Sequence, residues 1–269
     1  MQLTTVRAMQ IGFGSTLAAF AYLLFILLYM PCVATIGVIY KEIGGRKADL
    51  AYFHIKHAIV LHQFKPDSQL LEQSLARELG CSQGTTREAL LRLADDGLVT
   101  RRAYQGTFVT RTSLAEVCEM VRVRLSIERR AARMIDAGRI EGARDDFERL
   151  LTAMDKAHVD QDYFQGSELD RAFHAEIARV AGLGLLSPVL QRCALHIHRF
   201  TLSSIEVPRE FSQEAGIGTE HRALLEDLAQ ASPDKAEASI VGHLERVLKQ
   251  WAPSIFEAIG AEEFAPTHQ

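Results

Sequence analysis

The pattern of hydrophobic and polar positions changes twice along this chain. No charged residue occurs from Ile11 to Tyr40, whereas short helical stretches and glycine-containing turns begin near Asp49. Beyond Arg111 the spacing of apolar residues is helical throughout. The pattern therefore predicts a mainly α chain made of an apolar helix (1–45), a small domain with a hairpin (46–112), a helical domain (113–260) and a tail (261–269).

The uncharged stretch 11–40 is long enough to cross the roughly 30 Å hydrocarbon core of a membrane as one helix. More cationic side chains follow it than precede it, which would place the next domain on the cytoplasmic side. The alternative is a buried hydrophobic helix in a soluble domain. The expected location is therefore the cytoplasm, or the inner membrane if residues 11–40 serve as an anchor.

Part of this stretch resembles a transporter. Residues 25–44, with the core LLY-x-PCVAT, resemble the C-terminal membrane segment of the ferrous-iron transporter B family. One span cannot enclose a polar route across a membrane. The segment is thus either a membrane tether or an artefact of a wrong start site or gene junction, and we favour the artefact.

The pattern from residue 49 to residue 112 predicts a winged helix-turn-helix. A helix over 51–64 is followed by a helix over 70–79 that stops at Gly80, and Ser82 is suited to cap the next helix, which reaches residue 93. Helix, glycine-containing turn and helix is the order found in DNA-binding helix-turn-helix motifs. Residues 98–102 and 106–110 then predict a two-stranded hairpin, the wing, with its tip at 103–106.

The chemistry of this second helix suits double-stranded DNA. Its N-terminus can enter a major groove, where Arg87 has the length for a bidentate contact with guanine. Short polar contacts to phosphate or adenine are available at the helix start, and a glycine would let the wing tip approach a groove. These candidates are Ser82, Gln83, Thr85, Thr86 and Gly106.

The motif S-Q-G-T-T-R-E-A-L at 82–90, with Gly97-Leu98-Val99 and the wing G-T-F-V at 106–109, resembles the GntR family of transcription regulators. The resemblance implies that Ser82, Gln83, Gly84 and Arg87 contact DNA, with Gln73 where some members have arginine. The common motif is S-R-T-P-V-R-E-A-L, so Gln83 replaces an arginine here as Gln73 does on the preceding helix, and the operator sequence stays open.

The distribution of charge agrees with a DNA-binding segment followed by a separate helical domain. The segment 46–112 has a net charge of +3, whereas 113–269 has −8, which suits a DNA-contacting module joined to a partner domain that does not bind DNA. The four cysteines lie far apart and indicate neither a disulfide framework nor a thiolate zinc site.

Helical periodicity after residue 112 predicts an antiparallel bundle. The expected helices span 113–137, 140–157, 160–181, 186–205, 216–230 and 233–259, with Gly138 among the breakers. Asp170 and His174 share a helix face, and His221 and His243 lie on the last two helices. One carboxylate and three imidazoles form a plausible site for a divalent metal with positions open for a ligand.

The segments L-D-R-A-F-H at 169–174, E-H-R-A-L-L at 220–225 and G-H-L at 242–244 resemble the FadR C-terminal domain group of GntR regulators. That resemblance implies Zn, Ni or Mn bound by Asp170, His174, His221 and His243 beside a small-carboxylate pocket. Arg124, four residues before Glu128, is then either a ligand for the effector carboxylate or half of a surface salt bridge. His196 and His198 are further histidines without an assigned role.

The leading hypothesis is therefore a dimeric, ligand-responsive transcription repressor without enzymatic activity. The alternative is a metal-dependent enzyme, because three histidines and an aspartate with open positions could activate water. The sequence leaves the effector, the metal, the operator and the direction of regulation open.

Overall fold

The computed structural model describes residues 33–204, 216–230 and 232–265. The greater part of the predicted apolar helix, residues 11–32, lies outside this range. The first described helix, α1 (Val33–Val60), begins well before the predicted position 51 and ends four residues early, ahead of the turn that contains Pro66.

The winged region contains two further helices and a small sheet. These elements are β1 (Gln69–Leu70), α2 (Glu72–Glu78), α3 (Gln83–Asp95), β2 (Val99–Arg102) and β3 (Gly106–Val109). The strand order is β1-β3-β2 and both pairings are antiparallel. The predicted hairpin is thus correct, but the sheet has three strands, because Gln69 and Leu70 pair with β3 instead of starting α2.

The turn between α2 and α3 has the predicted chemistry. Gly80 has a φ of +60°, and the amide of Cys81 donates to the carbonyl of Ala76 (3.0 Å), which closes the C-terminus of α2. Ser82 caps α3, since its Oγ accepts a hydrogen bond from the amide of Thr85 (3.1 Å). The local sequence alone determines this turn.

The remaining described helices form the sensor region. They are α4 (Leu114–Met134), α5 (Ala137–Gly142), α6 (Arg144–Val159), α7 (Tyr163–Ala178), α8 (Ser187–Ser204), α9 (Ile217–Gln230), α10 (Pro233–Trp251) and α11 (Pro253–Ile259). A π-helical turn (Arg179–Leu183) and a 3₁₀ turn (Gly184–Leu186) join α7 to α8, and a 3₁₀ turn (Ala261–Phe264) follows α11.

Two predicted boundaries in this region are wrong. Gly138 does not end a helix but lies within α5, which Asp136 caps by accepting from the amide of Arg139 (2.9 Å). The predicted last helix breaks at Ala252, because Pro253 has no N–H to continue the hydrogen bonding and takes the first position of a new helix.

Six of these helices pack in a closed ring. In order around the ring, α4 contacts α8, α8 contacts α7, and α7 contacts α6. Then α6 contacts α9, α9 contacts α10, and α10 contacts α4. The core between them is apolar and includes the edge-to-face pair Phe147 and Phe173, whose ring centroids lie 5.4 Å apart. Residues 163–203, the described segment apolar enough to pass as a membrane span, form α7 and α8 of this ring.

Residue contacts divide the chain into two compact units. Among the described residues, one comprises 33–52 and 72–89, and the other comprises 53–71 and those from 90 onwards. The first contains α2 and the start of α3, and the second contains the sheet and the helical ring. The domain boundaries after residues 45, 112 and 260 stay predictions.

Candidate DNA-reading residues and candidate metal centre

The predicted DNA-contacting residues of α2 and α3 are mostly accessible. Gln73, Ser82, Gln83, Gly84 and Arg87 are exposed. Thr85 is half-buried, and its hydroxyl hydrogen-bonds with that of Ser82 (2.8 Å).

Thr86 was expected to offer a contact to DNA, and this is wrong. Its side chain is fully buried, and its hydroxyl donates to the carbonyl of Ser82 (3.2 Å) and lies 3.3 Å from the thiol of Cys81. Thr86 therefore stabilises the start of α3 from inside and does not face a groove.

Arg87 is held by a residue that the sequence reasoning missed. Its Nε and Nη2 donate to Oε2 of Glu72 at 3.1 and 2.9 Å, which raises the pKa of Arg87 through the hydrogen bond and the charge of that carboxylate. Glu72 begins α2, fifteen residues earlier, and no helical spacing rule links two positions so far apart. The pair uses the Nε edge of the guanidinium and leaves its Nη1 edge for another acceptor.

The wing tip has two backbone positions in the left-handed region. Gly106 has a φ of +102° and is exposed, and an added Cβ would lie 3.1 Å from Nε2 of Gln69. Tyr104, with a φ of +61°, is fully exposed at the tip. The sequence reasoning named the tip but not this tyrosine, whose ring could contact a groove.

The four predicted metal ligands come together in the helical ring. Asp170 and His174 lie on α7, His221 on α9 and His243 on α10, and one ligand atom from each lies within 4.8 Å of all the others. The three histidines are buried, and the side chain of Asp170 is 13% exposed. Residues more than 70 positions apart thus form one cluster.

His221 presents a lone pair to Asp170. Its Nδ1 lies 2.8 Å from the carbonyl of Ile217, which can only accept, so Nδ1 carries the proton. In the neutral ring Nε2 is then an acceptor, 3.0 Å from Oδ1 of Asp170. Two lone pairs at this distance repel unless a cation, either a second proton or a metal ion, lies between them.

The buried histidines leave polar atoms without partners among the described residues. Neither ring nitrogen of His174 or His243 forms a hydrogen bond. Burial, followed by the neighbouring His221 and His174, holds the pKa of His243 well below its ordinary value of 6.5, so this ring is neutral. Neutral imidazoles with free lone pairs and an ionised carboxylate are the donors that Zn, Ni and Mn ions take. The residues therefore fit a divalent metal.

Arg124 and Glu128 form a buried pair on α4, so the expectation of a surface salt bridge is wrong. Nε of Arg124 donates to Oε1 of Glu128 (2.7 Å), and Nη2 lies 3.6 Å from Oδ2 of Asp170. Oε1 of Glu128 is also 3.2 Å from Nδ1 of His174. The sequence reasoning missed this proximity, which orients His174 with its Nε2 towards Asp170.

His198 on α8 lies with its Nε2 3.1 Å from Oδ2 of Asp170. Burial alone would raise the pKa of Asp170, but the neighbouring His174 and Arg124 and the contact with His198 hold it well below its ordinary range. Asp170 is therefore an ionised carboxylate, with Oδ1 beside His221 and Oδ2 beside His198.

Two family models match this chain. Residues 47–109 match the model for bacterial regulatory proteins of the gntR family, and residues 119–246 match the FCD domain. The chain belongs to the GntR family. The matches contain the helix-turn-helix and the four-residue cluster, whereas the transporter resemblance over 11–45 stays a prediction.

Curated relatives of this GntR chain are transcription regulators. The HTH-type transcriptional repressor RspR of Escherichia coli K12 is 24% identical over 200 residues, which covers 73% of this chain and 85% of RspR. The "Probable D-xylose utilization operon transcriptional repressor" of Paenarthrobacter nicotinovorans is 26% identical over 184 residues, covering 68% and 79% of the two chains.

Solved structures share the fold. A GntR transcriptional regulator from Rhodococcus sp. RHA1 has a TM-score of 0.57 and 21% identity, covering 78% of this GntR chain and 99% of its own. E. coli McbR/YncC has a TM-score of 0.57 and 20% identity, with coverages of 80% and 99%. The mainly helical architecture with a winged helix-turn-helix and an FCD bundle is thus that of GntR structures.

Proposed function

We propose that this GntR regulator is a metal-dependent repressor that binds DNA as a homodimer and responds to a small carboxylate. Its relatives are transcription regulators, and two of them are named as repressors. The observation that carries the proposal is the convergence of Asp170, His174, His221 and His243 within 4.8 Å, together with ring nitrogens of His174 and His243 that form no hydrogen bond within the described chain.

DNA reading is assigned to the exposed start of α3. Arg87 donates to a guanine through its free Nη1 edge. Ser82, Gln83 and Gly84 approach phosphate or adenine, and Gln73 on the preceding helix α2 is assigned to the same surface. Thr85 contributes its hydroxyl, and Gly106 lets the wing tip approach a groove. A homodimer would present two such helices to a palindromic site.

Effector sensing is assigned to the cluster and Arg124. A bound divalent ion would supply open coordination positions that take a carboxylate. The guanidinium of Arg124 lies beside Asp170 and is buried, so a carboxylate in this region gains a charge-assisted hydrogen bond. The cation would be Zn, Ni or Mn.

Cytoplasmic location follows from a DNA partner. The protein would contact the membrane only if residues 11–40 are a genuine anchor.

The alternative function, a metal-dependent enzyme, would need a group that takes a proton from water. The nearby carboxylate of Glu128 already pairs with Arg124.

The metal is tested by titrating Mn²⁺, Ni²⁺ and Zn²⁺ into the chelator-treated full chain in a calorimeter. We expect one ion per chain, and we expect His243→Ala to lose affinity by on the order of 100-fold, since it removes a ligand and not merely an outer partner. His54→Ala, at an exposed position of α1, is the matched control. Equal binding by the two variants would remove the cluster from the proposal.

DNA reading is tested by selecting duplexes from a random pool with the full chain and with Arg87→Ala. We expect an enriched palindrome and, in the variant, a loss of roughly 5- to 150-fold in discrimination at one base position, as expected for a lost bidentate contact. Binding that depends on salt but not on sequence would contradict the assignment of α3.

A further inference from the structure

Helix α8 contacts the metal-ligand cluster and the ends of the winged hairpin with neighbouring side chains. His198 approaches Asp170, while His196 and Arg199 contact residues that flank β2 and β3. The intervening Ile197 is buried as well. This part of α8 is therefore packed on both sides.

His196 binds the two ends of the hairpin. The carbonyl of Asp96, directly after α3, accepts from Nε2 of His196 (2.9 Å), so Nδ1 of the neutral ring accepts from the hydroxyl of Thr112 (3.3 Å). Burial lowers the pKa of His196, which keeps the ring neutral and this arrangement defined.

Arg199 makes a second connection. Its Nη1 donates to Oγ1 of Thr110 (3.0 Å) and its Nη2 donates to the carbonyl of the same residue. The hydroxyl of Thr110 in turn donates to the carbonyl of Gly97 (2.7 Å), across the base of the hairpin. One arginine on α8 thus holds the end of β3 and, through Thr110, the turn before β2.

Arg199 is buried, and no carboxylate of the described residues lies within 4 Å of it. Burial lowers its pKa to about 10. A buried cation stabilised only by neutral acceptors depends strongly on their position, because each lost hydrogen bond exposes the full cost of desolvation. A small movement of α8 that lengthens the Arg199–Thr110 hydrogen bonds is therefore energetically costly.

Helix α8 packs closely against the turn before β2 at Gly97. Gly97 has a φ of +77°, and an added Cβ would lie 2.7 Å from Nη2 of Arg192 and 3.1 Å from Nε2 of His196. Packed contacts of this kind change between discrete arrangements instead of deforming smoothly.

Helix α7 makes a parallel connection. Its Glu168 accepts from the buried Lys56 of α1 (2.6 Å), and Asp170 of the cluster follows two residues later. The two helices that hold Asp170 and its partner His198 are thus also helices that contact the winged region.

We propose that α8 couples the cluster to the winged hairpin through His198, Arg199 and Thr110. A cation at Asp170, which rests on the proposed metal function, competes with His198 for the carboxylate and favours a different position of α8. The Arg199–Thr110 contact then transmits that position to both ends of the hairpin. Binding at the cluster and the arrangement of the hairpin are therefore linked, and the linkage is reciprocal.

The first test changes His198 and measures the hairpin in the metal-free full chain. The amide of Thr110 donates to the carbonyl of Leu98 (3.0 Å), so its hydrogen exchange reports on the hairpin base. We expect His198→Asn to change this exchange rate by about fivefold or more. Gln191→Ala, exposed on the same helix, should leave it unchanged. Wild-type exchange in His198→Asn overturns the coupling.

The second test runs in the opposite direction and measures Mn²⁺ affinity. We expect Thr110→Val to change the Kd for Mn²⁺ by about 5- to 150-fold, although residue 110 is no ligand. Thr100→Val on β2 is the matched control. A Kd within twofold of wild type in Thr110→Val overturns the coupling. If wild type binds none of Mn²⁺, Ni²⁺ and Zn²⁺, the proposed metal function fails, and the exchange of His198→Asn alone decides the coupling.

Discussion

Two Arg–Glu pairs in this GntR regulator have similar geometry and opposite environments. Arg87 and Glu72 pair at 2.9 Å with side chains 56% and 25% exposed, whereas Arg124 and Glu128 pair at 2.7 Å with side chains 3% and 2% exposed. In water the attraction between such charges is largely screened, and in a buried site it is not.

The difference indicates what each pair can do. The exposed pair contributes little to stability, so Arg87 can exchange its partner for another acceptor, or share it, at little energetic cost. The buried pair has given up its hydration, and losing either member leaves a charge without compensation. An exposed ion pair therefore suits a binding residue, and a buried one suits a fixed arrangement around His174.

The largest expected effect comes from breaking the buried pair. Glu128→Gln keeps the size of the side chain but leaves the charge of Arg124 with only the more distant Asp170, and we expect a loss of about 3 kcal/mol in the free energy of unfolding. Urea unfolding of the chelator-treated full chain measures it.

Glu72→Gln is the matched control for that experiment, because it breaks the same kind of pair at the surface. Its unfolding midpoint should stay close to that of wild type. Equal destabilisation by the two variants would show that burial does not distinguish the pairs.

A smaller effect is expected from pH. Burial lowers the pKa of His196, His198 and His243 below 6.5, so below that pH the unfolded chain binds more protons than the folded one. Stability should be level above about pH 7.5 and fall progressively below pH 6.5, with a limiting slope of roughly 1.4 kcal/mol per pH unit for a histidine such as His243, whose pKa is held well below that value.

Urea unfolding at pH 7.5, 6.5 and 5.5 with a chelator measures this dependence. Asp170, whose pKa is depressed, loses its contribution only at much lower pH, so this window reports on the histidines. His243→Gln should reduce the slope. A stability that does not change between pH 7.5 and 5.5 would mean that these rings are not held neutral.

The smallest expected effect concerns the role of Glu72 at DNA. If its carboxylate orients the guanidinium of Arg87, Glu72→Gln should reduce discrimination by about fivefold at the same base position that Arg87→Ala affects. Competition binding on single-base variants of the selected duplex measures it. Glu88→Gln, exposed beside Arg87, is the control. An equal change in affinity for every single-base variant would mean that Glu72 acts only by repelling the phosphates of DNA.

Much of the architecture could be read from the sequence because it depends on neighbours along the chain. The Gly80 turn, the Ser82 cap and the hairpin tip follow from local hydrogen bonding and backbone preference. The strand at Gln69 and Leu70 could not be read, since two residues have no periodicity and pair with a strand 37 positions later.

The candidate site shows the same division. The Asp170 and His174 spacing places two donors on one helix face, and family resemblance supported grouping His221 and His243 with them. No spacing rule indicated that Glu128 would lie beside His174 or His198 beside Asp170, because those contacts depend on how α4, α7 and α8 pack.

The sequence by itself determined the order of the elements and the helix-turn-helix, because these depend on residues within a few turns of one another, and it named the four candidate metal donors with the support of a family resemblance. The tertiary structure alone decided which charges are buried, which atoms lack partners and which side of α8 meets the hairpin. Burial and partner choice arise from contacts between distant segments, and those contacts set the dielectric surroundings that separate Arg124 from Arg87.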